Sequence, residues 1–276
     1  MVRRWFETAV QSSSERTHDP SAPTQLLAEK LEGHPALLLV GTKQKREILW
    51  RMLHPASADD ARERNRALFG GAFGGVYSFY IERERLCRLI AALVWGADSR
   101  PFYASMRRIG EVRPGGLIVD APCGAGVAFR GLRPDQRVRY IALDLSARML
   151  ELARRRGVQK GLGQIEFVEG DAQAIPVEDG SVDLFLSYWG LHCFPDPARA
   201  VAETARCLCP GGRLVGSMIT RGHTGRHRLL VRPGVGGFGP AGTADDLERW
   251  LADARLRDVI VETSGLFAYF QAVKAM

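Results

Sequence analysis

Three acidic residues and one glycine-rich turn are the side chains and backbone of this chain best suited to holding a small ligand. Asp120, Asp144 and Asp171 each follow an apolar run that is typical of a buried parallel strand. Parallel strands bring their carboxyl ends to one edge of a sheet, where α/β folds bind nucleotide-like ligands. Gly124 and Gly126 follow Asp120 and have no Cβ atoms, so a ligand can lie against the backbone there. We therefore expect one ligand site at this edge.

The turn after Asp120 excludes two common phosphate-binding motifs. A dinucleotide fingerprint needs a third glycine where this chain has Phe129, and no Gly-Lys-Ser/Thr follows to make a P-loop. A carboxylate repels a pyrophosphate but attracts a positive charge. Asp120 therefore favours a ligand with a cationic end.

The two later acids extend this interpretation. Asp144 ends a second strand, and an acid in that place can accept hydrogen bonds from both ribose hydroxyls. Ser146 then suits the N-cap of a helix. A single acid at a strand end often serves only as a helix cap, but three in succession are hard to explain in that way. Asp183 lies inside the fourth strand and is expected to be structural.

The segment 120–126 resembles motif I of the class I S-adenosylmethionine-dependent methyltransferases, D-x-G-x-G-x-G, with Pro122 in place of the first glycine. Proline has no N–H, so this position does not donate to the ligand. The order of acids, strands and a Pro-Gly-Gly turn is similar to that family from Gly115 to the C-terminus. The resemblance implies an α/β, Rossmann-like, seven-stranded, mostly parallel sheet whose last strand is antiparallel, with helices on both faces and an N-terminal helical lid. The subgroup it most resembles acts on small molecules in ubiquinone and menaquinone biosynthesis.

The resemblance also implies roles for particular residues. Asp171 would accept from the adenine amino group of S-adenosyl-L-methionine, with S-adenosyl-L-homocysteine as the product. The cofactor contacts implied are Tyr77, Asp120, Pro122, Cys123, Gly124, Gly126, Asp144, Leu145, Met149, Gly170, Asp171, Ala172, Ser187 and Tyr188. The substrate pocket implied comprises Tyr80, Trp189, His192, Phe194 and His223. His192 is the candidate base for an oxygen acceptor, and the alternative is that it only shapes the pocket.

The chain divides into three predicted regions. Residues 1–75 form a partly helical N-terminal extension, 76–113 a helical lid segment, and 114–276 the cofactor-binding domain with a glycine-rich insert at 221–242. The glycines between Phe69 and Gly75 predict flexible backbone, and the apolar spacing that follows predicts one helix from Ile81 to Trp95.

Composition places limits on partners and location. The net charge is +7, with most of the excess before residue 114. The arginines at 62, 64 and 66 mix with acids, which favours a solvated helix face over a nucleic-acid surface. The five cysteines are scattered, so neither a disulfide framework nor a metal site is expected. No signal peptide or membrane span is predicted, so we expect a cytoplasmic protein that could form a homodimer.

The function predicted from sequence is methyl transfer to a small aromatic or lipophilic acceptor at oxygen, nitrogen or carbon. Two alternatives remain at this point. One is methylation of RNA or another nucleic acid, although the Asn/Asp-Pro-Pro-aromatic motif of base-directed enzymes is replaced here by Ser187-Tyr188-Trp189-Gly190. The other is a protein of this fold that binds the cofactor without transferring its methyl group.

Overall fold

A computed structural model describes residues 58–221, 231 and 241–276. Seven strands form one sheet in the order β3-β2-β1-β4-β5-β7-β6. The first five strands run parallel, and β7 is antiparallel to both of its neighbours. The strands are β1 (Leu117–Asp120), β2 (Arg139–Asp144), β3 (Ile165–Glu169), β4 (Val182–Tyr188), β5 (Leu208–Ile219), β6 (Leu256–Ser264) and β7 (Phe267–Lys274). The Rossmann-like sheet with one antiparallel strand near its end is therefore confirmed.

Helices cover both faces of the sheet because side chains alternate in direction along each strand. On one face Ile118 and Leu184 pack with the N-terminal helices, and on the other Val119 and Phe185 pack with the two C-terminal helices. The α-helices in the described residues are α1 (Ala58–Gly70), α2 (Ala72–Glu82), α3 (Glu84–Ile90), α4 (Arg100–Ser105), α5 (Ala147–Gln159), α6 (Pro197–Cys207) and α7 (Ala244–Asp253).

Several local predictions are confirmed by hydrogen bonds. The Ser146 side chain caps α5 by accepting from the Met149 N–H. The structure adds a capping box of Thr243 with Asp246 at the start of α7. Asp183 is structural, since its carboxylate accepts from the Leu117 N–H and from Arg113. These features depend on residues close in sequence or on neighbouring strands.

The glycines after Phe69 do not make a flexible segment, so that prediction is wrong. Gly74 and Gly75 lie inside α2, and the boundary predicted between residues 75 and 76 falls within this helix. A Cβ atom on Gly74 would stand 2.0 Å from the Phe69 carbonyl oxygen and 2.3 Å from the Met149 Cε. Glycine is therefore needed at position 74 for close packing of the chain, not for freedom of the backbone.

The helix predicted from Ile81 to Trp95 is broken at Arg83. Backbone torsions of φ −91° and ψ 89° separate α2 from α3 at that residue, and residues Ala91–Trp95 continue α3 as a π-helical turn. No proline or glycine marks the break in the sequence. The break allows Ile81 in α2 and Cys87 in α3 both to be buried against the body of the fold.

The turn that follows β1 leads into a short 3₁₀ segment, Val127–Gly131. Gly131 ends it, and a Cβ atom there would lie 2.1 Å from the Met106 carbonyl oxygen. The space that a longer helix would take is used by the N-terminal helical segments on this face of the sheet.

Candidate functional site

The turn after β1 opens toward a cavity at the carboxyl edge of the sheet. Gly124 has φ of 52°, which favours glycine, and a Cβ atom there would meet no atom within 4 Å. Gly126 also has positive φ, but a Cβ atom there would collide with the Phe129 ring at 2.3 Å. Gly124 therefore leaves room beside the cavity, whereas Gly126 is required for the turn to pack on its own aromatic neighbour.

Asp120 lies at the bottom of this cavity, almost fully buried. Its carboxylate accepts a hydrogen bond from the Tyr140 hydroxyl over 2.9 Å. Burial raises the pKa of Asp120 to about 8, an effect that the Tyr140 hydrogen bond opposes and nearby Asp144 reinforces. A buried acid of this kind would be stabilised in its charged form by a cation entering the cavity.

Asp144 braces the turn from the neighbouring strand. One carboxylate oxygen accepts from the Gly124 N–H over 2.8 Å and the other from the Ser146 N–H over 2.9 Å. Burial raises the pKa of Asp144 to about 6, although these backbone donors oppose the shift. The carboxylate therefore fixes the shape of the turn and lines the cavity at the same time.

Asp171 lies at the end of the cavity formed by the loop after β3. Its carboxylate accepts from the Gln173 N–H, and from the Arg62 guanidinium over 2.7 Å. Arg62 belongs to α1, so the N-terminal extension reaches the acid that the sequence assigns to the adenine amino group. This contact joins two parts of the chain that are far apart in sequence.

Helix α1 covers the cavity, and the sequence did not predict this. Besides the contact of Arg62, the Asn65 amide donates to the Cys193 carbonyl over 2.7 Å, and the Arg66 guanidinium contacts the Leu145 carbonyl. Arg64 is buried. The prediction of a solvated face is therefore wrong for Arg64 and only partly right for Arg62, because α1 packs on the body of the protein, whereas Arg66 is exposed as expected. The repeated spacing of Arg62, Arg66 and Phe69 on one helical face was the available signal.

Most residues implied by the resemblance line this cavity, which is called the cofactor cavity below. Gly126 and Ser187 do not line it, since both lie behind its wall. Phe194 was predicted for the substrate pocket and lines the cofactor cavity instead. His223 and most of the glycine-rich insert lie outside the described residues. Those that line it as predicted are Tyr77, Asp120, Pro122, Cys123, Gly124, Asp144, Leu145, Met149, Gly170, Asp171, Ala172 and Tyr188.

A second cavity adjoins the first, and its wall is mainly aromatic. It measures about 250 Å³ and lies between helices α2 and α3 on one side and the end of β5 and the start of β7 on the other. The two cavities share wall residues, which are Phe69, Tyr77, Ile81, Trp189 and Cys193. This aromatic cavity also receives Tyr80 and His192, both predicted for a substrate pocket. Its remaining lining is Phe73, Cys87, Ile90, Ala91, Trp95, Ile219 and Phe267.

His192 is held as a neutral ring. Its Nδ1 accepts from the Ile219 N–H over 3.2 Å, which places the ring proton on Nε2. Burial lowers the pKa of His192 to about 3. In this arrangement Nδ1 is engaged by the backbone and Nε2 carries a proton, so the ring is poorly placed to accept another.

Fold and site together define a Rossmann-like domain with a cavity, at the carboxyl edge of its sheet, whose lining suits an adenosine-type cofactor. The methyltransferase domain family matches residues 119–216, which include the turn and the three acids. Residues 119–216 are thus similar to the domain of the class I S-adenosylmethionine-dependent methyltransferases.

Two relatives are similar to part of this chain. The chain is 37% identical over 106 residues to the ubiquinone/menaquinone biosynthesis C-methyltransferase of Brucella anthropi, a match that covers 37% of this chain and 40% of the relative. It is 38% identical over 121 residues to an uncharacterized transposon protein of Streptomyces fradiae, covering 42% of this chain and 34% of that one. The matched regions thus span well under half of these relatives.

A solved structure shows the same fold. The phosphoethanolamine N-methyltransferase 2 of Haemonchus contortus, in complex with S-adenosyl-L-methionine, superposes with a TM-score of 0.61 at 16% identity. The alignment covers 77% of this chain and 60% of that one.

The residues of the cofactor cavity suit S-adenosyl-L-methionine chemically. Asp120 would hold the cationic amino-acid end, Asp144 the ribose, and Asp171 the adenine amino group. The cavity measures about 100 Å³, below the ~300 Å³ at which small-ligand sites usually begin. Helix α1 contributes Arg62, Asn65 and Phe69 to the wall, so a movement of α1 would widen the cavity.

Metal and membrane features were searched over the described part of the chain. Among residues 58–221, 231 and 241–276, no group of three or more His, Cys, Asp or Glu side chains could hold a metal ion. Within the same residues, none of the helices combines the length and the apolar character needed to cross a bilayer.

Proposed function

We propose that this protein transfers a methyl group from S-adenosyl-L-methionine to a small aromatic or lipophilic molecule bound in the aromatic cavity. The observation that carries the proposal is the wall shared by the two cavities at Tyr77 and Trp189. A cofactor in one cavity and an acceptor in the other would meet at this wall. The aromatic lining suits a flat or lipophilic acceptor, which would bury apolar surface there.

The protein contributes to such a reaction mainly by positioning. The bound cofactor supplies a methyl group already activated by its sulfonium. The residues of this chain hold the acceptor in line with that group and exclude water from the wall between the cavities, and alignment of this kind can lower a barrier by ~7–11 kcal/mol. The cofactor's amino-acid end would be anchored by Asp120.

The aromatic cavity offers little for general base catalysis. No carboxylate lines it among the described residues, and burial raises the pKa of Tyr80 far above its ordinary value. His192 is neutral and engaged at Nδ1. We infer that His192 shapes the cavity, and that the acceptor is either an electron-rich carbon or a group that reaches the cavity already deprotonated.

An acceptor screen with labelled methyl groups tests the proposal. Purified protein would be incubated with methyl-tritiated cofactor and hydroquinones, phenols, polyprenyl aromatics or bulk RNA. Label in a lipophilic aromatic compound, with matching release of S-adenosyl-L-homocysteine, is the expected result. Label in RNA would instead support nucleic-acid methylation.

Two variants distinguish the roles of the two cavities in the same assay. Ile90 lines only the aromatic cavity and Phe194 only the cofactor cavity. Ile90→Ala should raise the KM for the acceptor with little effect on cofactor affinity, whereas Phe194→Ala should do the reverse. If both variants change only cofactor affinity, the acceptor does not bind in the aromatic cavity.

A second candidate function follows because the described residues that line the aromatic cavity offer no suitable base. A cavity that supplies shape and exclusion of water, without acid or base groups, also suits an intramolecular cyclisation of a lipophilic molecule. In that case the protein would bind S-adenosyl-L-methionine and convert a substrate without releasing S-adenosyl-L-homocysteine. The release assay therefore distinguishes the two functions directly.

A further inference from the structure

Helices α2 and α3, with the π-helical turn that follows them, carry the largest concentration of exposed apolar side chains in the described residues. They are called the lid helices below. Elsewhere in the described residues, the large apolar side chains that are at least 40% exposed are Val158, Ile260 and the C-terminal Met276, each in a different part of the chain. The concentration lies on α2, α3 and the π-helical turn, and is called the lid patch below. Its members are Phe73, Val76, Phe79, Leu89, Leu93 and Val94, with exposed fractions between 40% and 71%.

The lid patch has a basic rim. Arg83, Arg85 and Arg88 are exposed and follow or alternate with its apolar members. The two acids in this stretch are already paired, Glu82 with Arg156 and Glu84 with Arg130. In the described part of the chain, no carboxylate forms an ion pair with these three arginines. The rim therefore presents a net positive charge, which Asp98 near Arg88 offsets only in part because it is already paired with Arg100.

The rim arginines lie beside apolar side chains in a way that suits an interface between lipid and water. The Arg83 guanidinium carbon stands 3.5 Å from the centre of the Phe79 ring, and its Nη1 donates to the Phe79 carbonyl. Long basic side chains bury their aliphatic parts against apolar surface and keep their charged ends in water. Helices with aromatic and aliphatic residues on one side and arginines beside them lie flat in the headgroup region of a bilayer.

The lid patch is continuous with the aromatic cavity. Phe73 belongs to both, since it lines the cavity and is 42% exposed. Ile90 lines the cavity within the same segment that carries Leu89 and Leu93. A lipophilic molecule could therefore pass from an apolar environment on the outside of the lid into the cavity without crossing water.

From this charge and this continuity we propose that the lid patch docks on the surface of an anionic lipid bilayer. The protein would lie on the membrane without crossing it, with the mouth of the aromatic cavity facing the lipid. A symmetric contact with a second copy of the chain is disfavoured, because it would bring the same arginines together. That an acceptor enters from the bilayer rests on the proposed function, whereas the docking itself does not.

Vesicle sedimentation with the full chain tests the docking. The probes are vesicles of phosphatidylcholine alone and of phosphatidylcholine with about one third phosphatidylglycerol. The protein should sediment with the anionic vesicles at least about tenfold more strongly than with the neutral ones, and added salt should weaken this binding. No binding to anionic vesicles would overturn the proposal.

Matched variants connect any binding to the lid patch. Val76→Ser combined with Leu93→Ser removes two exposed side chains that line neither cavity, and should reduce vesicle binding about tenfold or more. Val158→Ser on α5 is equally exposed and should change nothing. Arg85→Gln combined with Arg88→Gln should lose about fivefold per charge on anionic vesicles only.

Two further outcomes would overturn the proposal. The first is equal vesicle binding by the patch variant and the Val158→Ser control. The second is a dimer, detected by sedimentation velocity, that the patch variant abolishes while vesicle binding is absent, since the lid patch would then pair with a second copy. Cofactor affinity measured by calorimetry should be the same in all these variants. Vesicle binding without methyl transfer would leave the docking intact and remove only the proposed function.

Discussion

The Arg62 guanidinium donates to the Asp171 carboxylate over 2.7 Å, joining α1 to the loop after β3 across the mouth of the cofactor cavity. The acid expected to receive the adenine amino group is thus already engaged by the N-terminal extension. Both side chains are partly exposed, about 29% and 25%, so the pair is within reach of solvent. An ion pair of this exposure contributes only about 0–1 kcal/mol to stability.

Removing the Arg62 pair should accelerate cofactor entry. In Arg62→Met, α1 loses its contact with Asp171, and we expect S-adenosyl-L-methionine to associate up to about fivefold faster in stopped-flow fluorescence. The control is Arg155→Met, which breaks an exposed pair with Glu151 on α5, away from the cavity. Slower association in Arg62→Met would mean that the arginine helps to bind the cofactor.

Cofactor binding near pH 7 should release a proton from Asp120. Its pKa of about 8 leaves the carboxyl mostly protonated before binding, and a bound cation favours the ionised form. Affinity should therefore rise with pH up to about 8. Calorimetry in buffers of different ionisation enthalpy should show up to about one proton released per cofactor.

Two controls isolate Asp120 in that experiment. Asp120→Asn should release no proton at pH 7, and neither should the wild type with 5′-methylthioadenosine, which lacks the cationic amino-acid end. Asp144, with a pKa of about 6, is mostly ionised at this pH and should contribute little. Equal proton release in Asp120→Asn would assign the proton to another group.

Asp144 should be needed for cofactor affinity. Asp144→Ala removes the acceptor for the Gly124 and Ser146 N–H groups and the candidate ribose ligand, so we expect affinity to fall about tenfold or more in calorimetry. Asp135→Ala, an exposed acid in the loop before β2, is the control. Unchanged affinity in Asp144→Ala would remove the ribose assignment.

His192 should prove to be structural. His192→Asn can keep an acceptor for the Ile219 N–H, so methyl transfer should remain within about threefold of the wild type, whereas loss of a general base costs about 10²-fold or more. His192→Ala leaves the Ile219 N–H without its acceptor and should lower the free energy of unfolding by ~1–3 kcal/mol. A 100-fold loss of rate in His192→Asn, with normal cofactor affinity, would show that His192 acts as a general base.

The two glycines inside α2 should respond in opposite directions to alanine. In Gly74→Ala the new methyl group would meet the Phe69 carbonyl and Met149, which should cost ~1–3 kcal/mol and weaken cofactor binding through Met149. Gly75→Ala meets nothing within 4 Å and should stabilise the helix by ~0.5–1 kcal/mol. Urea unfolding measures both, and equal effects would contradict the close packing at Gly74.

The sequence alone determined the parts of this protein whose causes are local. These parts are the apolar run ending in Asp120, the turn at Gly124 and the cap at Ser146. Each depends on neighbouring residues, and the structure contains all three. The seven-stranded sheet was implied by the resemblance of these motifs to the methyltransferase family, and the structure confirms it.

Only the tertiary structure decided how the site is enclosed. The contact between Arg62 and Asp171 joins residues 109 positions apart. The hydrogen bond from Ile219 to His192 and the break at Arg83 likewise depend on packing between separate elements. Local spacing reveals which face of a helix is apolar or charged but not what that face meets. The cover of the cofactor cavity, the aromatic cavity and the state of His192 therefore emerge only when the chain is folded.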